Sequence, residues 1–458
     1  MRVSLKNKKI AVIGLGRSGF AAAKFLNGEK ARVCVTEGSE KKEALENASY
    51  LRTLGIEVET GAHTEAFLAG SDLVVTSPGV PKQSLPLRWA KEKNIPVISE
   101  VELASYFCRG RVVAVTGSNG KTTTCNLIYR VLKEAGRDCV LCGNVGYSFL
   151  DALPAISRKT LVVLELSSFQ LEDSPKFRPS MAVVLNISAN HLDRHGTLEN
   201  YALAKENIFR NQGRKDILVL NAGDERVKAM ASKAPSRVIF YGRQELTEGI
   251  CPDGARVVWK KGGKKKELLD TRSLHLKGGH NLENLMACAV VTTLLRVPRK
   301  KIQATLENFK TLEHRIEPVG ELGGVKFVND AKSTTVESTR MALLAVEGPV
   351  ILVAGGRDKG LSYGELEPVL LERVKFAVLY GEARDKIGDS WKKFTPVQKE
   401  ANFRQAVRLA FGHAKPGDTL LLSPMGTSFD QFSSFEQRGE AFKHLFHELA
   451  KEKGPTGP

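Results

Sequence analysis

The chain of 458 residues lacks several features that would assign it to a special class of protein. No segment approaches the roughly 20 consecutive apolar residues of a membrane span, and no signal-like apolar region follows the N-terminus. The seven cysteines are odd in number and irregularly spaced, in a chain long enough to fold without disulfides. We therefore expect a cytoplasmic protein without membrane insertion. A prior of about 150 residues per domain predicts three domains.

Positive charge, by contrast, is abundant, with a formal net charge of +17 at pH 7. Basic residues are nevertheless spread along the chain, and the densest run, 260–266, predicts a solvated hairpin with a Gly-Gly turn. No aromatic-rich sheet motif or zinc-finger spacing accompanies this run, so we expect no nucleic-acid partner. Attraction of small polyanionic substrates explains the charge equally well.

Strand and helix signals alternate along the whole chain, which predicts an α/β fold with mostly parallel sheets. Three blocks are predicted: the first ~100 residues, a second block ending near 310, and a third that follows residue 315. The main predicted strands are 9–13, 32–35, 73–76, 161–164, 181–185, 325–328, 350–353, 376–379 and 419–422, and the main predicted helices are 20–26, 126–135, 200–211, 281–295 and 299–309.

The most informative stretch is 112–124, where an apolar run leads into Thr116-Gly-Ser-Asn-Gly-Lys-Thr122 and then into a helical pattern. A strand, a glycine-rich turn and a helix N-terminus direct backbone N–H groups and the helix dipole at one point, which forms a phosphate cradle. Lys121 adds a cation for the outer phosphates, and the Thr122 hydroxyl is suited to Mg²⁺. Val115 stands where the usual pattern has its first glycine. We therefore predict a nucleoside triphosphate site.

A second glycine-rich turn, Gly14-Leu-Gly-Arg-Ser-Gly19, follows the first predicted strand, and Glu37 follows the second. This arrangement is typical of a Rossmann-like nucleotide site, in which the acidic residue contacts a ribose or a base. The sequence leaves open whether the ligand is NAD or another nucleotide such as a UDP-sugar.

Polar residues follow the strands of the second block. Glu165 ends an apolar strand in the same block as Lys121, where a carboxylate is well placed for Mg²⁺. His191 can ligand a metal, although a structural or exposed histidine fits the pattern equally well. Lys205 falls on a predicted helix, where the sequence indicates only a solvated lysine. Asn284 and the residue three before it, Asn281, share a helix face that can contact an adenine edge, but Asn281 can also be a simple N-cap.

In the third block, three loops with ligand-type side chains follow predicted strands, at 329–334, 355–360 and 423–432. Asp330 and Lys332 lie in the first of these loops, and Arg315 lies at the start of the block. Three such loops at one sheet edge predict a site rather than a coincidence.

In this order, the motifs resemble the Mur ligase family, the ATP-dependent amino-acid-adding enzymes of peptidoglycan synthesis. The resemblance covers essentially the whole chain and includes the phosphate loop and the Gly14–Gly19 turn. The motifs at 165–171, 329–332, 429–432 and 435–439 make it similar to the branch that joins D-glutamate to UDP-N-acetylmuramoyl-L-alanine. Met425-Gly-Thr427, Thr335 and Glu37 depart from the residues usual in that branch.

The resemblance implies three domains: a UDP-substrate-binding Rossmann-like domain (1–100), a central P-loop ATPase α/β domain (101–311) and a C-terminal amino-acid-binding Rossmann-like domain (312–458). It implies a cytoplasmic ligase, expected to be a monomer, that uses ATP and two Mg²⁺ ions. Its substrates would be UDP-N-acetylmuramoyl-L-alanine and D-glutamate, joined by an amide bond through an acyl phosphate.

The resemblance also implies roles for individual residues. ATP would be bound by Gly117, Ser118, Asn119, Gly120, Lys121, Thr122, Thr123, Asn281, Asn284, Arg315 and Asp330. The UDP substrate would be bound by Gly16, Arg17, Ser18, Glu37, Ser77, Gly79 and Asn144. D-Glutamate would be bound by Thr334, Lys359, Ser428, Phe429 and Phe435. The metal ligands would be Thr122, Glu165, His191 and a carbamylated Lys205, and the catalytic residues would be Lys121, His191, Lys205 and Lys332.

Three alternatives remain for the function. A sister Mur ligase or a folylpolyglutamate synthetase-like enzyme is the nearest, although the Ser-Ser-Phe-Gln-Leu segment at 167–171 argues against both. A nucleic-acid-stimulated P-loop ATPase would account for the net charge. A dehydrogenase would use the first glycine-rich turn to bind NAD.

Overall fold

The computed structural model describes residues 4–145, 147–276, 278–309, 313–358 and 360–452. It divides into two compact units, one formed by Met1–Leu274 with Asn281–Asn308 and the other by His275–His280 with Phe309–Pro458. No helix in the described ranges combines the length and the apolar character needed to cross a membrane.

The first sheet of the larger unit has five parallel strands in the order β3-β2-β1-β4-β5. These strands are β1 (Lys9–Ile13), β2 (Arg32–Glu37), β3 (Glu57–Thr60), β4 (Leu73–Thr76) and β5 (Val97–Ser99), and they alternate with α1 (Arg17–Gly28), α2 (Lys42–Thr53), α3 (Glu65–Leu68), α4 (Leu85–Glu92) and α5 (Glu100–Phe107). Because β1 lies between β2 and β4, the loops after these strands meet where the strand order reverses. Doubly wound sheets bind ligands at this point.

The second sheet of this unit has nine strands in the order β14-β13-β12-β11-β10-β9-β6-β8-β7. They are β6 (Arg111–Thr116), β7 (Cys139–Gly143), β8 (Leu161–Glu165), β9 (Met181–Val184), β10 (Ile217–Asn221), β11 (Arg237–Tyr241), β12 (Gly249–Asp253), β13 (Arg256–Lys261) and β14 (Lys264–Asp270). The helices are α6 (Lys121–Glu134), α7 (Phe149–Ala152), α8 (Ser168–Glu172), α9 (Leu192–His195), α10 (Leu198–Glu206), α11 (Glu225–Ala229), α12 (Gly279–Leu294) and α13 (Arg299–Glu307). Strands β12 to β14 are antiparallel, and β13 and β14 form the lysine-rich hairpin that the sequence predicts.

The smaller unit contains a sheet of six strands in the order β15-β16-β20-β17-β18-β19. The strands are β15 (Glu317–Leu322), β16 (Val325–Asn329), β17 (Val350–Gly355), β18 (Val374–Tyr380), β19 (Val397–Glu400) and β20 (Thr419–Met425). The helices are α14 (Val336–Ala345), α15 (Glu367–Arg373), α16 (Arg384–Trp391), α17 (Phe403–His413) and α18 (Phe435–Glu452). All neighbouring strands are parallel except the β15–β16 pair.

The central parallel strands are buried on both faces, which explains why they are nearly continuous apolar runs. In β6, only Arg111 is exposed, and Val113 and Val115 are fully buried. The predicted α/β class and mostly parallel sheets are therefore confirmed.

Helix boundaries differ most from the sequence-based predictions. The helix predicted from residue 126 begins at Lys121, because Gly120 takes a left-handed conformation that turns the strand directly into the helix. The helix predicted over 200–211 covers Leu198–Glu206, because the Thr197 side chain caps it by accepting a hydrogen bond from the Asn200 backbone N–H.

Candidate active site

The predicted phosphate loop follows β6, which lies between β8 and β9 in the sheet. The loop is therefore flanked by Glu165 at the end of β8 and by the segment after β9. Asn119 and Asn186 hold this second flank: the Asn119 backbone N–H donates to Asn186 Oδ1 at 2.8 Å, and Asn186 Nδ2 donates to the Asn119 carbonyl at 3.1 Å. The predicted loop and metal residues thus share one edge of the sheet.

The loop backbone depends on Gly120, which has a φ of +82° at the N-cap of α6. A Cβ atom at this position would lie 2.4 Å from Asn284 Oδ1. Only glycine accepts both the dihedral angle and the close approach without strain. The N-terminal turn of α6 is consequently open to an anion, and Thr122 and Thr123 are buried in that turn.

Lys121 is folded back onto the loop that it follows. Its ammonium nitrogen donates to the carbonyl oxygens of Gly117 and Ser118, each at 2.8 Å. The Ser118 hydroxyl lies within hydrogen-bonding distance of two acceptors, the Ser188 carbonyl at 3.0 Å and the Tyr201 hydroxyl at 3.2 Å. The ammonium group of Lys121 therefore lies against the backbone of the predicted phosphate loop.

Glu165 is almost fully buried, with 2% of its surface exposed. Its Oε1 accepts a hydrogen bond from Asn144 Nδ2 at 2.9 Å. Its Oε2 is also buried but has no hydrogen-bond partner among the residues that the structure describes. An unpaired carboxylate oxygen beside a phosphate loop is a suitable ligand for a hard cation such as Mg²⁺.

Lys205 is buried, with 1% of its surface exposed, so the solvated lysine indicated by the sequence alone is wrong. Its Nζ donates to the Gly117 carbonyl at 2.9 Å and to Thr116 Oγ1 at 3.3 Å, and it lies 4.6 Å from the centre of the Tyr201 ring. Burial lowers the pKa of Lys205 well below its usual value, and repulsion by Lys121 adds to the effect. Both effects favour the uncharged amine, and the negative charge of Glu165 opposes them.

His191 takes a left-handed backbone conformation with a φ of +54° at the start of α9. Its ring meets the Phe169 ring edge-on, with centroids 4.8 Å apart. Phe169 belongs to the Ser-Ser-Phe-Gln-Leu segment that follows β8. The predicted metal residue His191 is thus packed on the segment that begins after Glu165.

Asn281 and Asn284 both lie on α12, three residues apart. Asn284 is buried, and its Oδ1 accepts a hydrogen bond from Thr124 Oγ1 at 3.1 Å. This side chain lies under the phosphate loop, next to Gly120. The Asn284 side chain therefore supports the phosphate loop from below.

Six of the predicted UDP-substrate residues surround the carboxyl edge of the first sheet: Gly16, Arg17, Ser18, Glu37, Ser77 and Gly79. Glu37 fixes the first turn, since its Oε2 accepts from the Leu15 N–H at 2.7 Å. The Ser77 hydroxyl donates to the Gly14 carbonyl at 3.1 Å. Arg17 reaches the second sheet and donates to the carbonyl oxygens of Gly143 and Asn144, at 3.2 and 3.4 Å.

A buried carboxylate that the sequence analysis did not single out also links the two sheets of the larger unit. Glu100 Oε1 accepts from Ser18 Oγ at 3.1 Å and from Gln170 Nε2 at 2.8 Å. Burial raises the pKa of Glu100, and these hydrogen bonds oppose the rise. Glu100 begins a helix, and nothing in the sequence around it predicts this contact between the two sheets.

In the smaller unit, the three predicted loops follow the adjacent parallel strands β16, β20 and β17. Ser423 Oγ donates to Asp330 Oδ2 at 2.8 Å, and the Arg357 N–H donates to the Thr427 carbonyl at 2.9 Å. The fold therefore brings the three loops together at one edge. Burial raises the pKa of Asp330 to about 6, and hydrogen bonds from Ser333 and Ser423 oppose the rise.

The predicted amino-acid residues of this unit have varied surroundings. Lys332 Nζ lies 4.9 Å from the centre of the Phe435 ring, a cation–π contact. Ser428 is buried, whereas Phe429 is 58% exposed. Thr334 lies in the loop after β16, as Lys332 does, and Arg315 precedes β15. The predicted residue Lys359 lies outside the described residues.

The described residues contain no cluster of three histidine, cysteine or acidic side chains that could hold a metal alone. The unpaired Oε2 of Glu165 at the end of β8 and the Thr122 hydroxyl in the first turn of α6 are nevertheless oxygen ligands of the kind that suits Mg²⁺ together with phosphate oxygens. A lysine amine is not an anionic ligand, so Lys205 fits a second ion only after chemical conversion.

Three family models match the chain. They are described as "Mur ligase MurD-like, N-terminal domain" over residues 8–99, "Mur ligase middle domain" over 115–292, and "Mur ligase, glutamate ligase domain" over 314–426. Together they match each of the three sheets described above.

Curated relatives match over nearly the full length. The UDP-N-acetylmuramoylalanine--D-glutamate ligase of Koribacter versatilis is 39% identical over 452 residues, which cover 98% of this chain and 100% of the relative. The ligase of the same name from Geobacillus kaustophilus is 41% identical over 449 residues, covering 97% of this chain and 98% of the relative.

Solved structures show the same fold at low identity. UDP-N-acetylmuramate-alanine ligase MurC from Thermotoga maritima aligns with a TM-score of 0.61 at 19% identity, covering 97% of this chain and 99% of that one. The MurF ligase from Thermotoga maritima in complex with ADP aligns with a TM-score of 0.59 at 19% identity, covering 99% and 98%.

Proposed function

This chain belongs to the Mur ligase family, and we propose that it joins D-glutamate to UDP-N-acetylmuramoyl-L-alanine at the expense of ATP, a step of peptidoglycan precursor synthesis. The observation that carries the proposal is the near-full-length match to ligases of that name, combined with a phosphate loop whose flanking residues fit the reaction. The two ligases of this name described above are 39% and 41% identical to the chain, whereas the MurC and MurF structures from Thermotoga maritima are 19% identical to it.

ATP would bind at the loop between β6 and α6. The N–H groups of the first turn of α6, together with its dipole, would hold the phosphates, and Lys121 would move from the Gly117 and Ser118 carbonyls onto the outer phosphates. This movement would cost little free energy, because the ammonium group would exchange two neutral carbonyl acceptors for charged phosphate oxygens.

Glu165 and Thr122 would hold Mg²⁺, and His191 with a converted Lys205 would hold a second ion. The ions would supply charge neutralisation at the phosphate oxygens, which otherwise repel an attacking carboxylate. Asn144 would keep Glu165 aligned through its hydrogen bond to Oε1, leaving Oε2 for the metal.

The conversion of Lys205 that the resemblance implies is carbamylation. Its neutral amine nitrogen would attack the carbon of CO₂, forming an N–C bond and releasing one proton, which yields an anionic carbamate. The depressed pKa of Lys205 supports this step, because only the uncharged amine is a nucleophile. Burial would then protect the carbamate from solvent.

The reaction would proceed in two displacements. An oxygen of the L-alanyl carboxylate attacks the γ-phosphorus of ATP, the bond to the bridging oxygen breaks, and ADP leaves. The amine of D-glutamate, once deprotonated, attacks the acyl carbon of the resulting acyl phosphate, and inorganic phosphate leaves. Lys121 would stabilise the charge that moves onto the transferred group.

In the smaller unit, Thr334, Lys359, Ser428, Phe429 and Phe435 would form the D-glutamate site. The cation–π contact between Lys332 and Phe435 would position a catalytic cation beside that site. Asp330 and Arg315 would contact ATP. These assignments rest on the family resemblance and on the gathering of the three loops at one sheet edge.

The test is phosphate release from ATP and Mg²⁺ with UDP-N-acetylmuramoyl-L-alanine, with D-glutamate, L-glutamate, L-lysine or no amino acid in parallel. The proposal predicts release that requires both the UDP-sugar and D-glutamate. Preference for another amino acid would indicate a sister ligase. Turnover that ignores the UDP-sugar and rises with DNA or RNA would support a nucleic-acid-stimulated ATPase instead.

A further inference from the structure

We propose that Arg194 is a positioning residue that locks the 77–82 loop of the first sheet onto the loop that carries His191. Its role would be to set the distance between the bound UDP-sugar and the phosphate loop. The inference rests on the proposed function, since it concerns how that function's two substrates are aligned.

Arg194 lies on α9, three residues after His191, and its side chain is 13% exposed. Its Nη1 donates to the carbonyl oxygens of Pro78 at 2.9 Å and Val80 at 2.7 Å. Both acceptors belong to the loop after β4. One guanidinium nitrogen therefore binds two backbone carbonyl oxygens of a loop that belongs to the first sheet, although Arg194 itself belongs to the domain of the second sheet.

Glu172 contacts both Arg194 and the 77–82 loop, which it reaches through Lys82. Its Oε1 pairs with Lys82 Nζ at 3.0 Å and with His195 Nδ1 at 3.2 Å, while its Oε2 accepts from Arg194 Nη2 at 3.3 Å. Although burial opposes it, the hydrogen bond from His195 and the charge of Lys82 lower the pKa of Glu172 to about 2. The carboxylate is thus charged and shared by three cations or donors at neutral pH.

The contacts continue from this cluster to the phosphate loop. The Arg194 guanidinium lies 4.4 Å above the Phe169 ring, which also stacks on His195 and meets His191 edge-on. The His195 ring in turn packs edge-on against Tyr201, with centroids 5.2 Å apart. The Tyr201 hydroxyl accepts from Ser118 of the phosphate loop.

The other end of the network reaches the first glycine-rich turn. Ser77, the residue before Pro78, donates to the Gly14 carbonyl. A Cβ atom on Gly19 would lie 1.8 Å from that same carbonyl oxygen and 2.6 Å from Ser77 Oγ, so the turn and the loop are in close contact at this glycine. An unbroken series of contacts therefore runs from the first turn, through Arg194, to the phosphate loop.

An arginine is required here by geometry rather than by charge alone. The planar guanidinium presents several N–H groups in fixed directions and stacks on Phe169 while it donates to Pro78 and Val80. A lysine ammonium is a point charge and cannot make all of these contacts at once. Arg194→Lys therefore separates the directional role from the charge.

The experiment measures kcat and KM for each substrate in the full-length enzyme carrying Arg194→Lys. We expect KM for UDP-N-acetylmuramoyl-L-alanine to rise about tenfold, the effect of losing one charge-assisted hydrogen bond, with KM for ATP changed by less than about twofold. Glu172→Gln should also raise KM for UDP-N-acetylmuramoyl-L-alanine. The variant with both substitutions should show a KM little higher than that of the more affected single variant, because both residues act through one contact.

Arg178→Lys is the matched control, because Arg178 pairs with Asp216 in the same sheet domain but is 54% exposed. It should leave both KM values unchanged. Amide hydrogen exchange should rise in residues 77–82 of Arg194→Lys and not in the control. If the Arg194→Lys enzyme is active and its KM for the UDP-sugar is unchanged, the positioning role is overturned and the proposed function stands. An equal rise in the KM values for the UDP-sugar and for ATP has the same meaning. A wild-type enzyme that does not turn over the UDP-sugar overturns the proposed function, and the inference with it.

Discussion

Asn144 donates a 2.9 Å hydrogen bond to Oε1 of Glu165, and the second oxygen of the same carboxylate is buried without a partner in the described part of the chain. A buried carboxylate oxygen in this state costs stability, since burial removes its water and no protein donor replaces it. The cost is understandable if the oxygen binds a cation during the reaction. Asn144 then acts as the residue that fixes which oxygen faces the ligand.

Replacing Glu165 by glutamine should therefore separate activity from stability. We expect Glu165→Gln to lower kcat by at least about 100-fold, the range seen when a preorganised charge is removed from an active site. Thermal unfolding should occur at the same temperature or higher, because a buried charge is removed. Glu225→Gln, whose side chain is 82% exposed, is the control. Activity within twofold of wild type would exclude a metal role for Glu165.

Lys205→Ala should abolish ligase activity, because the variant cannot form the proposed anionic carbamate. A short carboxylic acid such as acetate should restore part of the activity by occupying the space of the missing side chain. Phosphate release across a concentration series of acetate measures the rescue. The control is Lys228→Ala, since the Lys228 side chain is 52% exposed. Full activity of Lys205→Ala without acetate would contradict the carbamate.

Asn284→Ala should destabilise the larger unit, because it leaves the buried Thr124 hydroxyl without its acceptor. We expect a loss of about 1–3 kcal/mol in the free energy of unfolding. Urea unfolding of the full chain measures this loss. A rise in KM for ATP with unchanged stability would show instead that Asn284 only contacts the nucleotide.

The raised pKa of Asp330 predicts a pH dependence of stability in the smaller unit. Between the ordinary aspartate pKa of 3.8 and the folded pKa of about 6, the folded form holds a proton that the unfolded form has lost. The contribution of this group to stability therefore falls as pH rises through that window. The stability of Asp330→Asn relative to wild type should increase from pH 4 to pH 6 and then level off.

Amide hydrogen exchange along β16 and β20, compared between the two proteins at each pH, measures this effect. The comparison cancels the intrinsic pH dependence of exchange. A difference that stays constant across the window would show that Asp330 remains ionised in the folded protein.

The loops could be predicted from sequence because each follows a short apolar strand. The Gly14–Gly19 turn, the phosphate loop and Glu165 all lie directly after such strands, and parallel strands bring their carboxyl ends to one edge. Local pattern and fold topology together are sufficient for these positions.

The cluster around Arg194 could not be predicted in this way. Arg194 and Glu172 are 22 residues apart, and the Pro78 carbonyl is 116 residues from Arg194. No periodicity or turn signal connects such distant positions. The sequence does not reveal the burial of Lys205 either, because a lysine in a short helix is normally solvated and its burial comes from tertiary contacts with Thr116, Gly117 and Tyr201.

The most direct measurement follows oxygen-18 from the L-alanyl carboxylate of UDP-N-acetylmuramoyl-L-alanine during turnover with ATP and D-glutamate. The account predicts that each inorganic phosphate carries one labelled oxygen, because that oxygen attacks the γ-phosphorus and leaves with it when the amide forms. Phosphate without label, or phosphate whose new oxygen comes from water, would contradict amide formation through an acyl phosphate.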